Sequence, residues 1–470
     1  MRRTKIVCTI GPATSSPEVI VGLIRAGMNV ARLNFSHGTH EEHGAVIDLV
    51  RSAATELGAY VAVLQDLQGP KIRIGKLQAS PTRLAIGSRV AITTQQIDGT
   101  STLLSTPFQE LPQDVHLGDR LLLSDGLVEL VVESVGTDEV VTRVLRGGLI
   151  GERSGLNLPG VEIRAPSLTD KDVDDLRFGL SRGVDYVAVS FVRRPEDVVA
   201  AKRIISQAGA DVPVVAKLEK PEAIRNLEAI LEVSDVAMVA RGDLGVEVRP
   251  ERVPMLQKEI IARANRLGIP VITATQMLES MTHHEQPTRA EASDVANAIL
   301  DGTDAVMLSG ETAIGDYPLE TVAMMGRIAV EAEKGLGVYR VVEKPVAPLG
   351  SYPHSIAESA VTAAQMVGAK AIIAFTQSGF TGRLISKYRP GVPIVAVTGS
   401  EQVARRMSLY WGVVPQVVEQ PGSTDEMREK VEAAAAQLGI VAPGDSVVVT
   451  ASSATAPVSG TTNLMQIDRV

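Results

Sequence analysis

The sequence predicts an α/β fold: a (β/α)8, or TIM, barrel with an inserted all-β lid domain and a C-terminal α/β domain. Three features of the 470-residue chain carry this prediction. Eight short apolar runs alternate with amphipathic stretches, one connection between two runs is unusually long, and the alternation resumes after a proline-containing linker. Periodicity alone does not separate a closed barrel from an open doubly wound sheet, and the number of runs favours the barrel.

The apolar runs are nearly continuous and rich in β-branched residues, which is typical of parallel strands buried on both faces. Amphipathic stretches such as Pro17–Arg25 and Pro195–Gln207 separate them and are expected to be helices. The strands are predicted at Thr4–Ile10, Met28–Leu33, Tyr60–Gln65, Val184–Phe191, Val212–Leu218, Asp235–Ala240, Ile269–Thr273 and Asp304–Leu308.

The connection after the third strand is too long for a loop and must hold a domain of its own. It contains short strand-like runs such as Arg89–Thr93 and Arg120–Leu123, broken by glycines. Because it follows the end of a barrel strand, we expect it to form a lid over the catalytic face. The expected segments are 1–67 and 164–343 for the barrel, 68–163 for the lid, and 351–470 for the C-terminal domain, which includes a helix predicted at Thr424–Gln437.

Composition excludes several classes of function. Aromatic residues make up only 3% of the chain and its net charge is −9, so it offers neither stacking platforms nor an overall basic field for nucleic acid. The single cysteine, Cys8, cannot form an intrachain disulfide, and no apolar run is long enough to span a membrane or to form a signal-peptide core. We expect a cytoplasmic protein that binds neither nucleic acid nor membranes.

Charged and polar residues follow the predicted strands, where barrel enzymes carry their catalytic groups. A structural salt bridge would explain any one of these residues. Several at successive strand ends favour a functional cleft. They are Arg32, Asn34, Ser36, Asp66, Lys217, Glu219, Arg241, Gly242, Asp243, Thr275, Ser309 and Glu311.

The chemistry of this set favours phosphoryl transfer. Two carboxylates, Glu219 and Asp243, without a neighbouring Cys or His pair favour a hard cation, Mg²⁺ or Mn²⁺, held partly by substrate oxygens. Lysine and arginine beside that cation favour an anionic substrate. His40 and His43 could share a helix face, but no third metal ligand is evident, so we expect a solvated helix start there.

A loop in the C-terminal domain follows a predicted strand and opens a helix. Its residues are Thr376, Gln377, Ser378, Gly379, Phe380 and Thr381. Backbone N–H groups and hydroxyls there could bind a phosphate at the helix N-terminus. Ordinary capping by Ser or Thr explains the same residues equally well.

Long ordered segments of the chain resemble the pyruvate kinase family. The resemblance implies a homotetramer with a barrel domain, an inserted lid and a C-terminal regulatory domain. It also implies conversion of phosphoenolpyruvate and ADP into pyruvate and ATP. The segments are Thr4–Ala13, Gly27–Gly38, Ala216–Lys220, Val239–Glu247, Ala274–Met281, Pro287–Glu291, Met307–Ala313 and Val458–Leu464.

The resemblance also implies roles for individual residues. Lys217 would stabilise the phosphoryl group in flight, and Arg32 would bind the phosphate of phosphoenolpyruvate. Glu219 and Asp243 would hold Mg²⁺, and Thr275 with the Gly242-Asp243 backbone would bind the substrate carboxylate. The region of Thr275, Ser309 and Glu311 is our candidate for protonating the enolate. The residues expected to face the nucleotide are Asn34, Phe35, Ser36, His37 and Arg73.

Two positions depart from the family pattern. Many members hold K⁺ with side chains matching Asn34, Ser36 and Asp66, a threonine backbone and a nearby glutamate, but here Leu67 and Lys71 replace the last two. A tethered ammonium supplies a fixed monovalent charge, so we expect activity without K⁺; the alternative is a hinge lysine that points to solvent. In addition, Arg153-Ser154 stands where relatives usually have two lysines. Ser154 cannot supply the charge of the second lysine, so either Arg153 reaches across or ADP binds with one fewer cation.

Regulation and two alternative functions complete the expectations. The Thr376–Thr381 loop matches the phosphate loop of family activators, which favours regulation by AMP or a sugar monophosphate over capping. The enzymatic alternative is a Mg-dependent aldolase or lyase acting on a pyruvate enolate, although it would not need a lid. The non-catalytic alternative is an effector-binding protein built on an inactive kinase.

Overall fold

We describe the fold from a computed structural model of the chain. The described residues are 1–161, 163–164, 166–336, 342–419, 426, 435–436, 438–452 and 462–470. Among them, no helix is long and apolar enough to cross a membrane.

Eight parallel strands form a closed barrel, as the sequence predicts. Each strand pairs with its neighbours along the chain, and the last pairs with the first, so that Lys5 lies opposite Ala305. The strands are β1 (Lys5–Thr9), β2 (Val30–Asn34), β3 (Ala62–Asp66), β12 (Tyr186–Val189), β13 (Val214–Leu218), β14 (Val236–Ala240), β15 (Val271–Ala274) and β16 (Ala305–Leu308).

Helices surround the barrel, and their ends follow local sequence signals. Thr39 and Thr288 each begin a helix with a capping box, in which the hydroxyl accepts a backbone N–H and a glutamate bonds back. The helices are α1 (Pro17–Ala26), α2 (His40–Glu56), α4 (Asp170–Ser181), α5 (Pro195–Gln207), α6 (Pro221–Arg225), α7 (Leu227–Val233), α8 (Arg241–Glu247), α9 (Val253–Arg266), α10 (Arg289–Asp301), α11 (Gly310–Ala313) and α12 (Pro318–Glu333).

Alternate residues of each barrel strand belong to different cores, as the two-residue period of a strand requires. On β1, Ile6 and Cys8 pack with residues of the surrounding helices, whereas Val7 joins the cluster that fills the barrel. The same cluster continues into the C-terminal domain, where it includes Ile372 and Ile394. The C-terminal domain therefore packs against the barrel and shares this apolar cluster with it.

The connection after β3 contains the expected all-β domain, with its own apolar core. A six-stranded sheet has the order β11–β7–β8–β9–β5–β6, and β4 pairs with β10. Its elements are β4 (Thr82–Leu84), β5 (Arg89–Thr93), β6 (Leu103–Ser105), α3 (Leu111–Asp114), β7 (Arg120–Leu123), β8 (Val128–Val135), β9 (Glu139–Arg146), β10 (Gly148–Ile150) and β11 (Leu156–Asn157).

The C-terminal domain is an α/β sheet with strand order β19–β18–β17–β20–β21, in which only the β20–β21 pairing is antiparallel among the described strands. Most of the helix predicted at Thr424–Gln437 and of the Val458–Leu464 segment lies outside the described residues. The elements are α13 (Tyr352–Val367), β17 (Ala371–Phe375), α14 (Phe380–Lys387), β18 (Ile394–Thr398), α15 (Glu401–Met407), β19 (Val413–Val417), β20 (Ser446–Ala451) and β21 (Leu464–Arg469).

Buried charges join the C-terminal domain to the N-terminal ends of the barrel strands. Asp304, just before β16, accepts a hydrogen bond from Lys387 at 2.8 Å and pairs with Arg389 at 2.9 Å. On β1, the ammonium of Lys5 donates to the carbonyl of Val413 at 2.6 Å. Burial, with a smaller contribution from Arg2, lowers the pKa of Lys5 to about 7.

The depressed pKa of Lys5 predicts a pH-dependent stability. An unfolded lysine titrates near 10.5, so between pH 7 and 9 the unfolded chain binds more protons at this site and Lys5 makes folding more favourable as pH rises. Lys5→Met removes this titration. Its free energy of unfolding relative to wild type should therefore fall by about 2 kcal/mol from pH 7 to pH 9. Urea unfolding at both pH values tests this, with the exposed Lys370→Met as control. An equal difference at the two pH values would contradict it.

Candidate active site

Three strands, β2, β3 and β13, place opposite charges together at the catalytic end of the barrel. Asp66 ends β3, and its side chain is almost completely buried. Its Oδ2 lies 2.7 Å from Nε of Arg32 on β2, and its Oδ1 lies 3.2 Å from Nζ of Lys217 on β13. Burial opposes ionisation of Asp66, but the two cations outweigh it and lower its pKa.

The ammonium of Lys217 connects this pair to the next carboxylate. Its Nζ lies 2.9 Å from Oε1 of Glu219 and donates to Oγ of Ser190 at 2.7 Å. Burial alone would lower the pKa of Lys217, but Asp66 and Glu219 raise it well above its ordinary value. Lys217 is therefore a permanent cation at neutral pH.

Glu219 and Asp243 have the features expected of ligands for a hard cation. Glu219 is fully buried; its Oε2 accepts the N–H of Phe191 at 2.8 Å, and its Oε1 contacts the Lys217 ammonium as an ion pair without a well-aligned hydrogen bond among the described residues. Burial, and then the charge of Asp243, raise the pKa of Glu219 although Lys217 opposes the shift. A bound cation would relieve that cost.

The fit to a metal such as Mg²⁺ follows from the number of donors. No group of three or more His, Cys, Asp or Glu side chains in the described part of the chain is arranged to hold a metal ion. Two carboxylates alone suit Mg²⁺, which keeps several waters and takes further oxygens from a phosphorylated substrate. The donors present therefore fit a metal shared with the substrate.

A strained corner after β15 faces the start of α8. Thr275 and Gln276 have φ of +71° and +53°, and the N–H of Gly242 donates to Thr275 Oγ1 at 2.7 Å. Arg241 fixes the corner by donating to the Thr275 carbonyl at 2.7 Å while its other nitrogen pairs with Asp294 at 2.6 Å. A β-branched residue in the left-handed region is rare, and it marks a place where the surroundings dictate the backbone.

A second buried carboxylate lies beside this corner. Glu311 accepts N–H bonds from Ser309 at 2.6 Å and from Leu278 at 3.1 Å. Burial raises the pKa of Glu311, and Ser309 Oγ has no hydrogen-bond partner within the described ranges. Ser309 and Glu311 are thus adjacent groups able to hold a proton.

The residues expected to face the nucleotide are divided between barrel and lid. In the loop after β2, Asn34 Oδ1 accepts the N–H of Ser36 at 3.2 Å and His37 is exposed, whereas the buried ring of Phe35 stacks on His43 at 4.0 Å. Arg73 lies in the lid and donates to the Arg153 carbonyl at 3.2 Å.

Arg73 makes no hydrogen bond or ion pair with the barrel site among the described residues. It lines a lid cavity of about 780 Å³. The expectation of a solvated start for α2 also needs refinement, because His40 pairs with Asp175 at 2.8 Å and stacks on Phe178 at 4.3 Å.

The groups that were expected to bind K⁺ form contacts with other groups of the protein. Besides the cations on Asp66 and the N–H on Asn34, the carbonyl of Leu67 accepts the hydroxyl of Ser190 at 2.7 Å. Lys71 lies near the joint between lid and barrel, beside Gly155 and in a cavity that Lys220 also lines, and its ammonium forms no ion pair in the part of the chain that the structure describes. The structure therefore does not place Lys71 in contact with Asn34, Ser36 or Asp66.

In the C-terminal loop, the hydroxyls bind within the domain. Thr376 Oγ1 accepts the N–H of Gly379 at 2.9 Å, and Thr381 Oγ1 lies 2.7 Å from Thr462 Oγ1. Gly379 has φ of +83°, and no side chain caps α14 within the described residues. Gln377 and Ser378 are exposed. The Thr376 hydroxyl thus binds the backbone at the start of α14, so both explanations of this loop remain open.

Sequence reasoning missed two residues of the site region. Ser190 joins Leu67 to Lys217, and Glu247 at the end of α8 binds both Asn157 of the lid and Lys220. Position at a strand end could have indicated Ser190. Glu247 ends a helix rather than a strand, and only its neighbours in the fold reveal its contacts.

Fold and site together define a barrel phosphotransferase, because buried cations and two carboxylates converge where an anionic group and a divalent metal can meet. Residues 1–322 match the family model of the pyruvate kinase barrel domain, and residues 354–468 match that of the pyruvate kinase alpha/beta domain. The chain belongs to the pyruvate kinase family.

Individual relatives agree with this membership. The pyruvate kinase of Staphylococcus epidermidis is 48% identical over 473 aligned residues, covering 100% of this chain and 81% of that protein. That of Bacillus licheniformis is 47% identical over 471, covering 99% and 80%. A crystal structure of a pyruvate kinase from Cryptosporidium parvum matches with a TM-score of 0.93 at 40% identity, covering 100% of this chain and 96% of that one.

Membership identifies a glycolytic phosphotransferase and implies phosphoenolpyruvate and ADP as substrates. Family members generally need a divalent metal ion. The aldolase or lyase alternative and the non-catalytic alternative find no support in these comparisons.

Proposed function

We propose that the charge cluster around Lys217 carries out phosphoryl transfer from phosphoenolpyruvate to ADP. The observation that carries this proposal is the buried ammonium of Lys217 between Asp66 and Glu219. In the reaction, the bond between phosphorus and the enol oxygen breaks and a bond forms to a β-phosphate oxygen of ADP. A fixed cation at this point stabilises negative charge on the moving group without any reorganisation.

Other residues around the cluster bind the substrate. Arg32, whose Nε is held by Asp66 and whose Nη1 donates to Thr9 Oγ1 at 2.9 Å, presents Nη2 to the phosphate of phosphoenolpyruvate. The Thr275 hydroxyl and the backbone at Gly242 and Asp243 bind its carboxylate. A Cβ on Gly242 would lie 3.3 Å from Thr275 Oγ1, so glycine keeps this approach open.

Glu219 and Asp243 hold Mg²⁺, or Mn²⁺ in its place. When bound, the metal supplies positive charge that neutralises phosphate oxygens. Glu219 is pre-oriented for this role by the N–H of Phe191, which fixes one oxygen and leaves the other facing Lys217. Asp243 approaches from the first turn of α8.

The enolate that remains after transfer takes up a proton at carbon. Lys217 is a poor donor, because its raised pKa holds the proton tightly at neutral pH. Ser309 and Glu311, next to the Thr275 corner, supply the proton through water, since burial raises the pKa of Glu311 above its ordinary value and so favours its protonated form.

The nucleotide binds between the loop after β2 and the lid. Asn34, Ser36 and His37 contact it from the barrel and Arg73 from the lid, while Phe35 supports the loop from within. Ser154 adds no charge here; its hydroxyl closes a turn with Gly151 at 2.8 Å.

The proposal also covers the K⁺ requirement, the regulation, the location and the assembly of the enzyme. It works without K⁺, because Lys71 stands where relatives carry a glutamate and the cations of Arg32 and Lys217 already pair with Asp66. A phosphorylated effector, AMP or a sugar monophosphate, binds at the exposed Gln377 and Ser378. The protein acts in the cytoplasm as a homotetramer, in keeping with the resemblance of its sequence.

Lys217→Met tests the central assignment. Removal of the cation from the transferring group should lower kcat by about 10³-fold, a loss comparable to that of a charge-stabilising donor in other enzymes. A coupled assay of pyruvate release measures it, with circular dichroism as a check on folding. Lys202→Met, at the opposite end of the barrel beside Asp235, is the control and should retain full activity. Near wild-type turnover by Lys217→Met would overturn the assignment.

The requirement for K⁺ is tested in tetramethylammonium buffer. Wild-type activity should change less than about twofold on addition of KCl, because tethered ammonium groups already supply the monovalent charge. Lys71→Glu should create at least about tenfold stimulation by K⁺, and the exposed Lys76→Glu should not. A strict K⁺ requirement in the wild type would refute the proposal.

Activation through the C-terminal loop is tested by a scan of AMP and sugar monophosphates at subsaturating phosphoenolpyruvate. At least one should stimulate the wild type several-fold. Ser378→Asp should abolish that stimulation, since its carboxylate repels a phosphate. Ser355→Asp, an exposed position at the start of α13, should respond like wild type. The proposal fails if none of these compounds activates, or if Ser378→Asp responds fully.

A further inference from the structure

A buried carboxylate connects the lid to the barrel at a point outside the charge cluster around Lys217. The side chain of Glu247, the last residue of α8, is fully buried. Its Oε1 accepts a hydrogen bond from Nδ2 of Asn157 at 3.0 Å and from Nζ of Lys220 at 2.6 Å. Asn157 belongs to β11 of the lid, so one oxygen atom receives both a lid residue and a barrel residue.

Lys220, the barrel residue that contacts Glu247, lies next to a carboxylate assigned to the metal. Lys220 follows Glu219 in the sequence, and its ammonium lies 5.6 Å from the centre of the Phe191 ring. The N–H of Phe191 donates to Glu219 Oε2. Glu247 also lies one helical turn after Asp243 on the short helix α8. Of the two carboxylates assigned to the metal, Glu219 is therefore one residue from Lys220, and Asp243 is one helical turn from Glu247.

The contact between Glu247 and Lys220 is energetically costly to break. Glu247 and Lys220 are both buried, and a buried charge that loses its partner is strongly unfavourable, so neither side chain can leave alone. The second oxygen of Glu247 has no hydrogen bond among the described residues, so its bonding is concentrated on the shared Oε1. A displacement of Asn157 therefore also disturbs the hydrogen bond of Lys220 to the same oxygen.

We propose that Glu247 is a positioning residue that fixes the lid and the two metal carboxylates relative to each other. It touches neither substrate nor metal. It acts through Lys220 and α8 on Glu219 and Asp243, and through Asn157 on the lid. This inference rests on the assignment of Glu219 and Asp243 as metal ligands.

The first test measures metal binding without turnover. Free Mn²⁺ is titrated into the full-length protein in the absence of substrates and followed by electron paramagnetic resonance. Glu247→Gln, which removes the charge that holds Lys220, should weaken Mn²⁺ binding about tenfold, the usual effect of losing a partner that orients ligands. Glu251→Gln, an exposed carboxylate four residues along, is the control and should bind Mn²⁺ like wild type.

A second variant guards against failure to fold. Lys220→Met/Glu247→Leu replaces the buried ion pair by apolar side chains, a change that is often neutral or stabilising. It should keep the melting temperature of wild type and still bind Mn²⁺ about tenfold more weakly. A purely structural role would move the melting temperature and leave the Mn²⁺ affinity unchanged.

The lid side is tested through the KM for ADP. Asn157→Leu removes the bond to Glu247 and should raise this KM about fivefold in the wild-type background, in the range expected for the loss of one intramolecular hydrogen bond. In the Lys220→Met/Glu247→Leu background it should have no further effect, because its partner is gone. Equal effects in the two backgrounds would overturn the proposal.

Glu219→Gln separates this inference from the assignment on which it rests. If Glu219→Gln leaves Mn²⁺ affinity unchanged, the metal assignment itself is wrong, and the inference falls with it. If Glu219→Gln weakens binding but both Glu247 variants bind like wild type, the inference alone is overturned. Weakened binding in all three variants, with the ADP result above, supports it.

Discussion

The contact on which the catalytic end of the barrel depends is the ammonium of Lys217 between Asp66 and Glu219. All three side chains are at least largely buried, so each charge relies on the others rather than on water. Breaking such a buried pair leaves an uncompensated charge, at a cost of about 3–5 kcal/mol. The same dependence keeps Lys217 protonated and Asp66 ionised, which is the charge pattern that an incoming phosphate needs.

The lid enters and leaves the barrel close to this cluster. Three residues after Asp66, Gly69 has φ of +69°, and its N–H donates to Asp172 at 3.0 Å. A Cβ on Gly69 would lie 2.9 Å from Cβ of Ser190, so only glycine fits this turn without displacing a residue that binds Lys217. At the other end, Asn157 meets Glu247. The two segments that connect lid and barrel are thus anchored beside the charged residues of the site.

The parts of the structure that sequence predicted best are those set by short-range rules. The barrel strands, Lys217 and Asp66 followed from apolar runs and from the rule that catalytic groups lie at strand ends. The lid strands at Leu103–Ser105 and Leu156–Asn157 were not predicted, because they are too short to show a period. Glu247 was missed for a different reason, since nothing near it in sequence shows that it is buried between two domains.

The C-terminal domain reaches the catalytic end through the barrel rather than through the lid. Helix α14 begins at the Thr376–Thr381 loop and ends at Lys387, whose buried ammonium is 2.8 Å from Asp304. Asp304 immediately precedes β16, and Ser309, which donates to Glu311, immediately follows it. Helix α14, the buried ion pair of Lys387 with Asp304, and strand β16 therefore connect the C-terminal loop to the catalytic end of the barrel. Because separating the buried charges is costly, a movement of α14 carries Asp304 with it or breaks the pair. The pair of Lys387 and Asp304 is thus the point at which the position of the loop and the position of β16 are made dependent on each other.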